Sequence, residues 1–178
     1  AFFSVDTELT NNGLDHYQDV VSSVFQYIEM LKCSLPQSWI YTELKDVAQA
    51  SFKFKQKGHA SSTVSSLAKA LEKEYIPVGD ILSTSLLRKY DPELIMQYTN
   101  ILTPENSRIT VISKDVEIDS KEKWYGTEYS VIDYPKEFLD KLKKSGLNPH
   151  LHLPRPNEFI STNFQVIKQE SAEPLLEP

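Results

Sequence analysis

The chain has 178 residues, a formal charge of −6 and a pI near 5.3, with 40% hydrophobic and 11% aromatic residues. This content is enough to build a packed core and excludes wholesale disorder. The acidic balance argues against nucleic acid as a partner, and no apolar run is long enough for a membrane span.

In chain order, Phe2 to Leu9 reads as a strand of aromatic and β-branched residues, and Thr10 as the N-cap of a helix. Leu14, Tyr17, Val21, Val24, Phe25, Ile28 and Leu31 then recur at steps of three and four, the stripe of one helix about five turns long. Pro36 opens a second helical stretch that carries Trp39, Leu44, Val47, Ala48 and Phe52 and runs to about Lys55. Gly58 to Ser62 breaks it. Ser61 or Ser62 is expected to cap a third helix with Val64, Leu67, Ala68 and Leu71 on its inner face, and a short helix is expected near Ser83–Lys89. Asp91-Pro92-Glu93 is a helix start with a capping carboxylate, a proline where no N–H is needed and an acid at the positive dipole end; Leu94, Ile95, Tyr98, Ile101 and Leu102 are its expected buried face.

Arg108–Ser113 and Tyr125–Tyr134 read as strands on either side of a charged loop, and Pro135 opens a last helix whose end is basic at Lys141, Lys143 and Lys144, with Gly146 as the expected C-cap residue. Three prolines between Asn148 and Pro156 favour extended chain, and the tail after Phe164 reads as a linker. Three strands against five or six helices predict an α+β fold of layered helices on a mainly antiparallel sheet. A sheet that begins at residue 2 is expected to pair with strands upstream, so the chain reads as a piece of a longer protein. Its unpaired edge is a place for dimerisation.

The sequence holds little that does chemistry. His16, His59, His150 and His152 are the four histidines, and none lies in His-x-x-Glu-His or His-Glu-x-x-His. His150 and His152 share a spacing that can chelate, but one such pair leaves a tetrahedral site half empty. Cys33, the lone cysteine, reads as a structural thiol, excludes an intrachain disulfide and suits a reducing, cytoplasmic setting. The start at Ala1–Val5 lacks the features of a signal peptide. Phe52-Lys53-Phe54-Lys55-Gln56-Lys57 interleaves aromatics and cations. It reads as a helix end with buried rings and snorkelling lysines, and Lys57 and His59 beside the next helix start form a conceivable anion site.

Five segments in order carry a resemblance across nearly the whole chain: Phe25-Gln26-Tyr27-Ile28, Phe52-Lys53-Phe54-Lys55, Leu102-Thr103-Pro104-Glu105-Asn106, Trp124-Tyr125-Gly126-Thr127-Glu128-Tyr129 and Asn157-Glu158-Phe159-Ile160-Ser161-Thr162-Asn163-Phe164. The last two are the specific ones. Together they resemble the second, non-catalytic domain of the insulin-degrading enzyme (insulinase) family, nearest its fungal pheromone-processing branch. The resemblance implies a zinc metalloendopeptidase of four homologous α+β domains in two halves that enclose a peptide-sized chamber. The inverted zinc motif then lies in the first domain, and this stretch holds no cofactor. It further implies a domain over residues 1–164, lacking its first strands, and the start of an inter-domain linker over 165–178. Its partners would be the other domains of the polypeptide and short peptides of the hormone or pheromone type. The family's exosite for peptide N-termini would lie just upstream of the positions matching Phe2 and Phe3. The family's Asp latch between halves falls on Gln56, which keeps a hydrogen-bonding oxygen without the charge. An arginine tied to nucleotide contact falls on His59, whose imidazole carries only part of a charge near neutrality. The alternatives are a free-standing interaction module, with the edge and tail as docking elements, and a small enzyme using Cys33 or the His-x-His pair.

Overall fold

Asn11, Asn12 and Gly13 are weak helix formers, and the first helix they start stops early. Thr10 caps it as expected, its hydroxyl accepting the Gly13 N–H at 3.1 Å. However, α1 covers only Asn11–Asp15, and His16, at φ −119° and ψ 24°, separates it from α2, Tyr17–Ser34. The five-turn helix read from the apolar stripe is thus present as α2, which carries the stripe from Tyr17 to Leu31, and Leu14 alone falls on α1, because periodicity reports a shared face and not backbone continuity. The computed structural model describes residues 3–161 and 163–165. The chain forms two units, Ala1–Pro36 with Asp91–Leu153, and Gln37–Tyr90 with Pro154–Pro178.

The first unit holds α1, α2, α5 (Pro92–Ile101), a 3-10 turn at Pro104–Asn106, a hairpin and α6 (Lys136–Lys143). Asp91 caps α5 as the sequence indicates, accepting the Leu94 N–H at 3.1 Å. The core lies where α6 meets α2. Phe138 and Leu142, one turn apart on α6, are 7% and 2% exposed, and Ile28 of α2 is 7% exposed. Tyr134 stands edge-on to Phe138 and donates its hydroxyl to the Ser107 carbonyl at 3.1 Å, which fixes the approach to α6. Ser22, the buried polar residue of α2, donates to the Gln18 carbonyl at 2.8 Å and leaves no orphan group. Two ion pairs lace α6 to its surroundings, Lys141 to Asp19 at 2.9 Å and Lys143 to Glu105 at 2.8 Å. α6 ends at Lys144, two residues before the expected Gly146.

Among the described residues the sheet is one antiparallel pair, β1 (Ser120–Lys121) with β2 (Glu128–Tyr129), in the register Ser120↔Tyr129 and Lys121↔Glu128. The fold class is the expected one, helix-rich with a small antiparallel sheet, but the strands are shorter than the sequence suggests. Residues 3–9 and 108–113 form no ladder, and 125–134 pairs only at Glu128 and Tyr129. Alternation and β-branching give a segment the tendency to pair; a strand also needs a neighbour's N–H and C=O groups.

The second unit holds α3 (Ser38–Lys53), α4 (Ala60–Leu71) and a 3-10 helix at Val78–Ser83, which takes the place of the helix expected at Ser83–Lys89. Arg88 holds that 3-10 turn, reaching Asp80 at 2.9 Å and Ser83 at 2.8 Å. Tyr41 of α3 packs on Tyr90 with ring centroids 5.2 Å apart. After Pro154 the described residues reach α3 at two points and act as a strap on it. The Asn157 N–H donates to the Glu43 carboxylate at 2.8 Å, and Phe164 packs on Phe54 at 5.7 Å. From Glu43 to Phe54 the helix rises about 16 Å, and seven extended residues reach about 25 Å, so the strap spans the two tethers with slack. The linker expected from 165 onward falls almost wholly outside the described residues.

Candidate functional site

The two positions singled out by resemblance lie together on the link between α3 and α4. α3 stops at Phe54, its C-cap, and α4 starts after His59, its N-cap residue. Gln56 is exposed within this link and has no hydrogen-bond partner among the described residues. His59 is exposed as well. Its side chain makes no capping bond. Its carbonyl instead accepts the Ser62 hydroxyl at 3.0 Å, the Thr63 N–H at 3.0 Å and the Thr63 hydroxyl at 2.9 Å. The expected serine cap is thus replaced: Ser61 and Ser62 lie inside the first turn, and the hydroxyls of Ser62 and Thr63 bond backward to the His59 carbonyl. This leaves both Gln56 and His59 free to reach outward.

The aromatic–basic run beside them does not bury its rings as the sequence suggested, since Phe52 and Phe54 are 39% and 54% exposed. Lys53 instead places its ammonium 5.6 Å from the Phe54 ring centre and 5.1 Å from that of Phe164. This cation–aromatic stack fixes the strap to the end of α3. Sequence reasoning missed it because Phe164 lies 110 residues away in the chain.

The candidate catalytic groups are not assembled. Among the described residues no three His, Cys, Asp or Glu side chains gather where they could hold a metal. His152 turns its Nδ1 to the Leu153 carbonyl at 2.9 Å, and the backbone N–H of His150 donates to Asn148 at 3.0 Å, as in an extended loop. Cys33 is exposed on the last turn of α2, where a structural thiol is expected to be buried or half-buried. The donors among the described residues therefore make no zinc site.

A cleft of about 200 Å³ opens in the first unit, with Phe25, Ile28, Leu102 and Leu142 as its apolar floor. Charges at its rim are paired within the unit, Glu105 with Lys143 and Glu29 with Lys32 at 3.7 Å. The Lys143 ammonium bonded to Glu105 holds that carboxyl below the usual range, and Glu105 in turn raises Lys143.

The apolar stripes read as inner faces are largely uncovered. On α5, Leu94, Ile95, Tyr98 and Ile101 are 43–59% exposed, while Met96 and Thr99 are the half-buried positions; on α4, Val64 and Leu71 are more than half exposed. Each helix thus presents several large apolar side chains to solvent.

These positions sit on a helix-rich scaffold whose α4 and α5 turn apolar side chains outward. Residues 52–178 match the family described as the middle or third domain of peptidase M16, and the chain belongs to that family. The A-factor-processing enzyme of Saccharomyces cerevisiae is 62% identical over all 178 residues of this chain, which are 17% of its own length. The insulin-degrading enzyme of Homo sapiens is 37% identical over 172 residues, 95% of this chain and again 17% of its own length. The crystal structure of pitrilysin has the same fold at a TM-score of 0.80, with 24% identity, covering 92% of this chain and 17% of pitrilysin. The chain thus spans about a sixth of the length of these relatives.

Proposed function

We propose that this chain is the second, non-catalytic domain of a zinc metalloendopeptidase that degrades or processes short peptides of the hormone or pheromone type. In that reading it forms part of the wall of the substrate chamber and supports the catalytic domain. The observation that carries the proposal is the 62% identity, over the full chain, to an enzyme named for processing A-factor. The uncovered faces of α4 and α5 support it, because a wall domain needs apolar surface for its neighbours.

The metal and its ligands belong to another domain of the parent protein. Residues 1–164 are the domain and 165–178 the start of the inter-domain linker, and the parent is cytoplasmic. Its other domains and its peptide substrates are the partners. Gln56 contacts the opposite half through a neutral hydrogen bond, and His59 next to it is the residue facing a nucleotide if one binds. Both are exposed on one short link, and among the described residues neither side chain makes a hydrogen bond, which supports these roles.

The test is a comparison of the intact polypeptide with the 178-residue chain. The intact protein should contain zinc and cleave short peptides in a chelator-sensitive way, and the chain alone should do neither. One tightly bound zinc per isolated chain with chelator-sensitive cleavage would overturn the reading, as would an intact protein that cleaves no peptide.

A further inference from the structure

The loop from Lys121 to Glu128 is held rigid and turns aromatic surface outward. The Glu122 carboxylate accepts the backbone N–H of Trp124 at 2.7 Å and of Tyr125 at 2.6 Å. The Glu122 carbonyl accepts the Gly126 N–H at 3.1 Å, and its own N–H donates to the Thr127 carbonyl at 2.7 Å. Gly126 makes the turn at φ 68°, where a glycine has no side-chain penalty. Below it the β1–β2 pairing and the Lys121–Glu128 ion pair close the base. On this frame Trp124 is 80% and Tyr125 92% exposed. Adjacent Trp and Tyr side chains are the residue types that dominate binding hot spots, and a tip already fixed loses little freedom on docking.

We infer that the Trp124–Tyr125 tip is an anchor that seats in an apolar pocket on another domain of the same polypeptide. The inference rests on the reading of the chain as one domain of a longer peptidase. The chain amounts to 17% of the length of its relatives, so most of such a polypeptide is tethered to it, and a tethered pocket acts at high effective concentration. A second copy is a poorer occupant. It must meet the tip from solution at bulk concentration, without the gain that a tether gives. A short peptide substrate is poorer still, because a projecting tip needs a concave partner that a flexible peptide lacks.

The test uses the intact polypeptide and its Trp124→Phe variant, a substitution that keeps an aromatic ring. Subtracting the two emission spectra isolates Trp124, and acrylamide quenching of that difference signal reports its access to water. The expected result is a Trp124 signal quenched severalfold less than free indole, unchanged on dilution and unchanged by added peptide. Glu122→Ala, which frees the two N–H groups without touching the rings, should raise the quenching. Quenching equal to free indole would overturn the anchor. Shielding lost on dilution would overturn it in favour of a second copy, and shielding seen only with added peptide would overturn it in favour of substrate contact. Chelator-sensitive cleavage measured on the same preparation tests the peptidase reading separately, so an exposed tip in an active peptidase refutes the anchor alone.

Discussion

Leu142→Ala is the sharpest probe of the core. Leu142 is 2% exposed and forms part of the floor of the cleft between α2, α6 and Thr103–Glu105. The substitution removes three carbon groups from a dry contact, and at about 0.8 kcal/mol each the lost transfer energy is about 2.5 kcal/mol. A sealed site would add a cavity cost and approach the upper end of the about 2–5 kcal/mol range for such changes. Here the void joins an open cleft that water enters, so the loss should stay near the transfer value. For a chain of this length about 2.5 kcal/mol lowers the thermal midpoint by about 5–10 °C. Urea unfolding of the 178-residue chain should show the loss as a lower midpoint with an unchanged slope. Leu71→Ala is the control, since Leu71 is 61% exposed on α4 and should change stability by no more than about 0.5 kcal/mol. A Leu142 effect no larger than the Leu71 effect would refute the placement of the core. In the intact polypeptide the Leu71 control should become costly if α4 is covered there.

Other outcomes follow from the same geometry. Asp19 bonded to Lys141, Glu105 bonded to Lys143, and Glu122 bonded to the N–H groups of Tyr125 and then Trp124 all have pKa values held down. Their contribution is complete above the ordinary carboxylate range near about 4 and fades as pH falls through the lowered folded values, so the thermal midpoint should drop on acidification below about pH 4. The Asp19→Asn, Glu105→Gln, Glu122→Gln combination should flatten that drop, and only modestly because all three are exposed. Lys143 runs the other way, raised by Glu105, so its contribution is complete below the ordinary lysine range and is lost only as pH rises through the raised value. Leu35, at φ 56°, and Gly126, at φ 68°, make an opposed pair: Leu35→Gly should stabilise and Gly126→Ala destabilise, each by about 1 kcal/mol in denaturant unfolding. If the intact polypeptide is the proposed peptidase and Gln56 meets its opposite half, Gln56→Ala should alter peptide turnover by about twofold, since one exposed neutral contact supplies less than the about 1.36 kcal/mol that a tenfold change requires. A change of about tenfold across a salt series would refute that placement.

What the sequence made legible was local. Thr10 and Asp91 cap helices with the side-chain bonds their types predict, and Pro135 opens α6 with basic residues in its last turn, because capping and dipole chemistry act within a few residues. The motif-bearing segments identified the family. Burial was read less well. Leu94, Ile95, Tyr98 and Ile101 make a helical stripe, yet α5 meets α2 through another face, because an apolar stripe states what should be covered and not by which chain. The strands at 3–9 and 108–113 have the composition for pairing without a ladder partner among the described residues. The roles of Gln56 and His59 came from resemblance alone. Composition and spacing hold no signal for a contact made with another domain.

The strap on α3 differs in kind from the helix it touches. Helix residues share a ladder in which each bond supports the next, whereas the strap is held at its two ends by the Asn157–Glu43 hydrogen bond and the Phe54–Lys53–Phe164 stack. Parting those two contacts disturbs no turn of α3, so lifting the strap is a local opening of far lower free energy than global unfolding. In amide hydrogen exchange the N–H of Asn157 should therefore trade its proton well ahead of the interior amides of α3. A bound neighbour that pins Phe164 would slow that exchange without altering the helix.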